Sequence, residues 1–238
     1  IPAYLFYNAN LSDDFVEGED IDYTKGITGV IIGNGATAIG QYAFYNNKKM
    51  NAVTIGTAVA NIGDYAFAGC TAVERLNYNA KTVANFSDSS CVFKNLGLNS
   101  ANGGCNVVIG DNVETLPSYM FYCNNAVDGN ANGITNVTIS EGVTFIGNFA
   151  FAGCSKVENL NLNATITYDV DVFSFIFRHL GLDSATETCS VVVGDNVTKI
   201  PANLFYCLDT VNNANGITSV VIGSKVETIG EMAFAGCA

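Results

Sequence analysis

IGDYAFAGCTAVERLNY (Ile62–Tyr78) and IGNFAFAGCSKVENLNL (Ile146–Leu162) are two copies of one motif in one chain. Its first half recurs as IGQYAF from Ile39 and IGEMAF from Ile229, and again as IPAYLF from Ile1, LPSYMF from Leu116 and IPANLF from Ile200. The phenylalanine is constant: Phe6, Phe44, Phe67, Phe121, Phe151, Phe205 and Phe234. A unit this short cannot bury an apolar face by itself, so such copies are stable only when they stack on one another.

The second half of the motif reads as a strand. GVIIG (from Gly29), AVTIG (Ala52), RLNYN (Arg75), NVVIG (Asn106), NVTIS (Asn136), NLNLN (Asn159), SVVVG (Ser190) and SVVIG (Ser219) are short, mostly β-branched and alternating. Alternation marks strands with one buried face. The inward pairs are Val30/Ile32, Val53/Ile55, Leu76/Tyr78, Val107/Ile109, Val137/Ile139, Leu160/Leu162, Val191/Val193 and Val220/Ile222. Stacked in register, they predict an eight-strand parallel sheet. A longer period lies above this one: Phe67 to Phe151 and Phe121 to Phe205 are each 84 residues, and Phe151 to Phe234 is 83. Three coils thus form a duplicated super-repeat.

Two segments depart from the motif. Phe173, Ile176, Phe177 and Leu180 fall at helical spacing with Gly181 after them, and Val92, Phe93, Leu96 and Gly97 stand 84 residues earlier. This predicts a short amphipathic helix in each. Pro2, Pro117 and Pro201 share one slot with Gly40, Gly63, Gly147 and Gly230. That slot reads as a bend whose N–H is not needed by a ladder.

The pattern of Ile-Gly, Ala-Phe, Cys and strand positions resembles the BspA-like leucine-rich repeat, also called the Treponema pallidum type. The resemblance covers nearly the whole chain and is weakest at residues 80–104 and 164–188. It implies a right-handed β-rich solenoid, with one parallel sheet on the concave side and short helices or irregular segments on the convex side. It also implies a surface or secreted setting and a role in adhesion. The expectation for residues 1–238 is one such domain of about eight coils, a piece of a longer protein that begins and stops inside a repeat.

Composition narrows the function. Ten basic against 22 acidic residues give a net charge of −12, which repels phosphate backbones and anionic lipid and excludes nucleic acid as a partner. No apolar run approaches a membrane span, so direct insertion is not expected. His179 is the only histidine, so any Ser-His-Asp or Cys-His chemistry would have to use it, and no orienting motif surrounds it. No C-x-x-C pair offers structural zinc. The acidic loop at 8–26, with Asp13, Asp14, Glu17, Glu19, Asp20 and Asp22, has oxygen ligands for calcium but no EF-hand spacing, and reads as a solvated loop. The expectation is therefore no enzyme, no metal and no cofactor.

What remains is a binding surface for a host protein or glycan, or a spacer or accessory repeat that displays another domain. The middle residue of each strand points outward on the concave face: Ile31, Thr54, Asn77, Val108, Thr138, Asn161, Val192 and Val221. This row is uncharged and partly apolar, and solenoids bind along such faces. Loops inserted at Asn124–Gly133 and Leu208–Gly216 are the second candidate. The eight cysteines sit at repeat positions, so equivalent ones are whole coils apart, too far for a bridge. Buried thiols are expected, with Cys105–Cys123 and Cys189–Cys207 as the rival intracoil pairs.

Overall fold

The computed structural model describes residues 1–6, 26–122, 132–207 and 215–237. The eight expected strands form at the eight expected places: β1 (Gly29–Ile32), β3 (Ala52–Ile55), β5 (Arg75–Tyr78), β6 (Cys105–Ile109), β8 (Ile134–Ile139), β10 (Asn159–Leu162), β11 (Ser190–Val193) and β13 (Ser219–Ile222). They pair in parallel in chain order as one sheet. The register is the one that the motif dictates, with Val53 beside Leu76 and Leu160 beside Val191. From β3 to β11 the inward pairs are fully buried. In β13, the last strand of the sheet, Val220 and Ile222 remain 38% and 41% exposed, because a coil covers them on one side only.

A second line of short strands runs along another segment of the coil. β2 (Ala38–Ile39) pairs with β4 (Asn61–Ile62), β7 (Thr115–Leu116) with β9 (Phe145–Ile146), and β12 (Lys199–Ile200) with β14 (Thr228–Ile229). The irregular segments at 82–91 and 166–175 break this line. The break explains the Pro/Gly slot and corrects the reading that its N–H is dispensable. Each glycine donates its N–H to the coil before it: Gly40 to Ile1, Gly63 to Ile39, Gly147 to Leu116 and Gly230 to Ile200, all at 2.8–2.9 Å. A side chain there would also strike the preceding coil's backbone. Pro117 and Pro201 follow the first strand of a new ladder, after an irregular coil, where no such bond is asked of them.

The two expected helices are absent, and no helix occurs among the described residues. Residues 92–99 and 176–183 run as successive turns. The reason is visible in the backbone. Each Phe is preceded at two positions by a residue with positive φ: Tyr4, Tyr42, Tyr65, Cys91, Tyr119, Phe149, Phe175, Asn203 and Met232, at 42–59°. A second such residue follows by two in most coils: Asn46, Gly69, Asn95, Gly153, His179 and Gly236. A left-handed residue every four positions cannot continue an α-helix. The N–H groups turn instead to the next coil, as in Tyr42 N to Asp64 O at 3.0 Å and Phe44 N to Ala66 O at 2.8 Å.

The apparent helical spacing was the turn motif in disguise. Phe93 and Phe177 occupy the slot of the seven constant phenylalanines. The nine rings, from Phe6 to Phe234, stack in one continuous column with centroids 5.0–5.4 Å apart. Seven of them, from Phe44 to Phe205, are fully buried. Each contact adds to the area that it buries, and the column links every coil to the next.

Candidate functional site

The outward row of the main sheet is where the sequence places it. Ile31, Thr54, Asn77, Val108, Thr138, Asn161, Val192 and Val221 are register neighbours on adjacent strands. Ile31 is 85% exposed, Val221 54% and Val192 37%, while Thr54, Asn77, Val108 and Thr138 are half-buried between their neighbours. Asn77 Nδ2 donates to Thr54 Oγ1 at 3.4 Å across two strands.

The flanking outward columns extend this character. On one side lie Gly29, Ala52, Arg75, Asn106, Asn136, Asn159, Ser190 and Ser219, with Asn159 Nδ2 donating to Asn136 Oδ1 at 2.9 Å. On the other lie Gly33, Gly56, Asn79, Gly110, Ser140, Asn163, Gly194 and Gly223. Asn79 Nδ2 bonds Ile55 O at 3.2 Å, and its Oδ1 fills the space where a side chain at Gly110 would go, as Asn163 does at Gly194. Arg75 is the only charged residue of the three columns. The result is a face of amides, hydroxyls and methyls that can hydrogen-bond or touch an uncharged partner, with exposed Arg75 as its one charged group.

A shallow polar depression of about 480 Å³ lies beyond the strand ends, lined by Thr57, Lys81, Asp111, Asn112, Glu114 and Gly142. Lys81 and Glu114 pair across it at 3.0 Å. Nearby strand-end turns are tied by carboxylates. Asp195 accepts from Ser224 N at 2.8 Å, which holds its carboxyl below the usual range, and Asp169 pairs with Lys199 at 2.7 Å to the same effect. Both pairs join adjacent coils and offer no nucleophile.

Chemistry elsewhere is buried or dispersed. His179 sits at φ 60° in the turn slot that holds Asn95 in the sister coil and Gly69 in an ordinary one. It is a turn residue rather than a helix residue. Among the described residues no three His, Cys, Asp or Glu side chains come together as metal ligands. The acidic residues of loop 8–26 and most of the inserted loops Asn124–Gly133 and Leu208–Gly216 lie outside the described residues.

Cys70, Cys105 and Cys189 are buried thiols, so neither Cys105–Cys123 nor Cys189–Cys207 is bridged. Burial pushes all three up to about 12. The sequence did not reveal why cysteine recurs after Phe. Cys70 Sγ donates to Phe44 O at 3.1 Å, and Cys154 Sγ to Phe121 O at 3.4 Å, capping a spine carbonyl of the preceding coil. Buried asparagines cap spine carbonyls too, Asn47 Nδ2 that of Phe6 in the preceding coil at 2.8 Å, and Asn132 Nδ2 and Asn215 Nδ2 those of Phe121 and Phe205 in their own coils at 3.0 and 2.8 Å. Asn132 and Asn215 are equivalent in the ANGIT segments of the two inserted loops, a repeated signal that loop length alone obscured.

No curated protein matches the chain. Among solved structures, a leucine-rich repeat protein of Bacteroides ovatus is 19% identical with a TM-score of 0.46, over 88% of this chain and 46% of its own. A leucine-rich repeat protein of Eubacterium ventriosum is 16% identical with a TM-score of 0.30, over 91% and 84%. The chain therefore spans less than half of the Bacteroides ovatus protein. The model of the BspA type leucine rich repeat region matches residues 37–168 and 128–238, with six copies. With that match and the stacked repeat strands, the chain belongs to the BspA-type leucine-rich repeat family.

Proposed function

We propose that the chain is a non-enzymatic, adhesin-like binding module that recognises a host protein or glycan through the outward face of its main sheet. In this reading residues 1–238 form one right-handed solenoid domain, that face is its concave side, and the protein works at a cell surface or after secretion. The observation that carries the reading is the outward register column from Ile31 to Val221, uncharged throughout in a chain of net charge −12. Ile31, Val192 and Val221 offer apolar area to a partner, and the amides and hydroxyls between them supply direction. Membership in the BspA-type family supports the surface setting, and the acidic balance speaks against nucleic acid and anionic lipid as partners. No helix of the described residues is long and apolar enough to cross a membrane.

The test is binding to a printed array of extracellular-matrix proteins and neutral glycans. The chain is compared with a variant carrying Thr138→Glu, Asn161→Glu and Val192→Glu. All three positions point outward, so the fold should survive, as checked by circular dichroism. Binding at least tenfold weaker in the variant is expected, since three buried carboxylates at an interface are each costly. Equal binding by the two overturns the role of this face. A chain that binds nothing on the array favours the alternative role, a spacer or accessory repeat.

A further inference from the structure

Outside the Phe spine runs a second column of rings, built on the first left-handed slot of each coil. Tyr4, Tyr42 and Tyr65 stack at 5.2 and 5.0 Å, and Tyr119 and Phe149 at 5.0 Å. Unlike the spine, this column is half-exposed. It is also costly to build, because a bulky residue at positive φ is an outlier that glycine or asparagine would relieve. Stacking between coils offsets that cost where the column is continuous.

The column is interrupted once between Tyr65 and Tyr119, at Cys91. The backbone there keeps the ring-bearing conformation: φ is 43° at Cys91 and 42° at its super-repeat counterpart, Phe175. In the sister coil the slot is full. The Phe175 ring packs 5.8 Å from Phe149 and 6.1 Å from Tyr206, and the Arg178 guanidinium lies over it at 5.2 Å. At the Cys91 coil every neighbour of that ring has a counterpart: Tyr65 for Phe149, Tyr122 for Tyr206 and Lys94 for Arg178. The ring itself is missing, and beyond it Tyr119 stands where the sister copy has Asn203. The spine in these same coils steps 5.4 Å from Phe67 to Phe93 and 5.1 Å to Phe121, so Tyr65 and Tyr119 stand two coil steps apart with the Cys91 coil between them. One ring fits midway, at the separation of about 5 Å that aromatic pairs prefer.

We propose that this interruption is a binding site for one aromatic side chain of a partner polypeptide, seated over Cys91 between Tyr65 and Tyr119 with Lys94 on its face. Phe175 is the internal template for the occupant: a phenyl ring delivered by a polypeptide and capped by a cation. Cys91 supplies a small floor, and its thiol is hydrogen-bonded to the Tyr65 hydroxyl, which places it against one wall. The site lies on the turn segment rather than on the strands, so it stands or falls independently of the sheet-face reading.

The test uses N-acetyl-phenylalanine amide and N-acetyl-leucine amide as probes, with the tyrosine rings of the chain labelled for NMR. We expect the phenylalanine probe to shift the Tyr65 and Tyr119 ring signals, saturating in the millimolar range, and the leucine probe to bind about tenfold more weakly. Cys91→Phe fills the slot with the sister residue and should abolish both shifts while leaving the remaining spectrum intact. Cys91→Ala should keep them, which separates an occupied slot from a disturbed fold. Equal response to the two probes, or a response that survives Cys91→Phe, overturns the proposal.

Discussion

Residues 62–122 and 146–206 are the same structure written twice with different side chains. The backbone barely notices the changes. φ is 57° at Tyr65 and 58° at Phe149, 59° at Asn95 and 60° at His179, and 67° at both Gly97 and Gly181. Gly97 N and Gly181 N reach the carbonyls of Cys70 and Cys154 at 3.2 Å each, and the Ser100 and Ser184 hydroxyls close the same loop at 2.8 Å. Yet Asn61 becomes Phe145, Ala84 becomes Tyr168, Ser89 becomes Phe173 and Cys91 becomes Phe175. Even the interior trades volume between neighbours. Buried Phe86 faces buried Val170 across the duplication, and Ala84 faces Tyr168, whose hydroxyl bonds Ile146 N and O. The inter-coil ladder and the Phe spine therefore set the conformation, and the turn slots are free to carry surface chemistry.

If so, the two divergent coils must depend on the spine as strongly as the regular ones. Phe93→Ala and Phe177→Ala should each cost about 3–5 kcal/mol in denaturant unfolding, the same as Phe121→Ala or Phe151→Ala, because each leaves a cavity in one continuous column. A cost below about 1 kcal/mol at Phe177 would mean that its coil packs by other means, and the equivalence of the copies would break.

Cys105 and Cys189 open equivalent strands and are both buried thiols held at about 12. An unfolded thiol ionises near 8.5. The folded value is raised, so stability is fully present below about pH 8.5 and is lost as pH climbs toward 12. The loss should be roughly 1.4 kcal/mol per pH unit for each buried thiol, or about 2 kcal/mol each by pH 10. Denaturation at pH 7.5 and pH 10 measures it. Cys105→Ala with Cys189→Ala should flatten the alkaline slope by the share of two thiols, and an unchanged slope would place ionisation elsewhere.

The buried amides sharpen the comparison further. Asn215 is wholly buried, donates to Phe205 O and accepts from Leu180 N at 3.1 Å. Asn132 makes the matching bond to Phe121 O. Alanine at Asn215 removes the cap of the Phe205 carbonyl and should cost about 1–3 kcal/mol, and alanine at Asn132 should cost less, because Cys154 Sγ still donates to Phe121 O. Aspartate would be worse, since it cannot donate and would bring an unpaired charge into the core.

The strands were legible because period-two alternation survives every substitution, and so each register pair could be named from sequence alone. The outward row followed from the same alternation. The turn segments were not legible. Val92, Phe93, Leu96 and Gly97 match a helical face, and nothing in the residue types announces that Cys91 and Asn95 take positive φ. Aromatic residues in the left-handed slot violate local preference, so propensity pointed away from the truth, and only inter-coil stacking, a tertiary effect, reverses it. The carbonyl caps were hidden for a similar reason. Cysteine and asparagine do one job at shifted positions, so neither column looks constant.

The smallest expected effect bears on the second turn slot, which holds Gly69 and Asn95 in one copy and Gly153 and His179 in the other. If the surrounding ladder imposes positive φ, the residue type should matter only through its own strain. His179→Gly relieves a left-handed penalty of roughly 1 kcal/mol and adds about as much chain entropy to the unfolded state, so stability should change by less than about 0.5 kcal/mol. Binding to any array ligand should also be unchanged, because the imidazole has no assigned role in either surface. Gly69→Ala runs the other way. It imposes the strain at φ 76° and drives a methyl into Asn46 Oδ1 of the preceding coil, so it should cost at least 1–2 kcal/mol. Thermal unfolding of the two variants reads both signs. A His179→Gly protein that loses binding outright would show that the only histidine of the chain does more than occupy a turn.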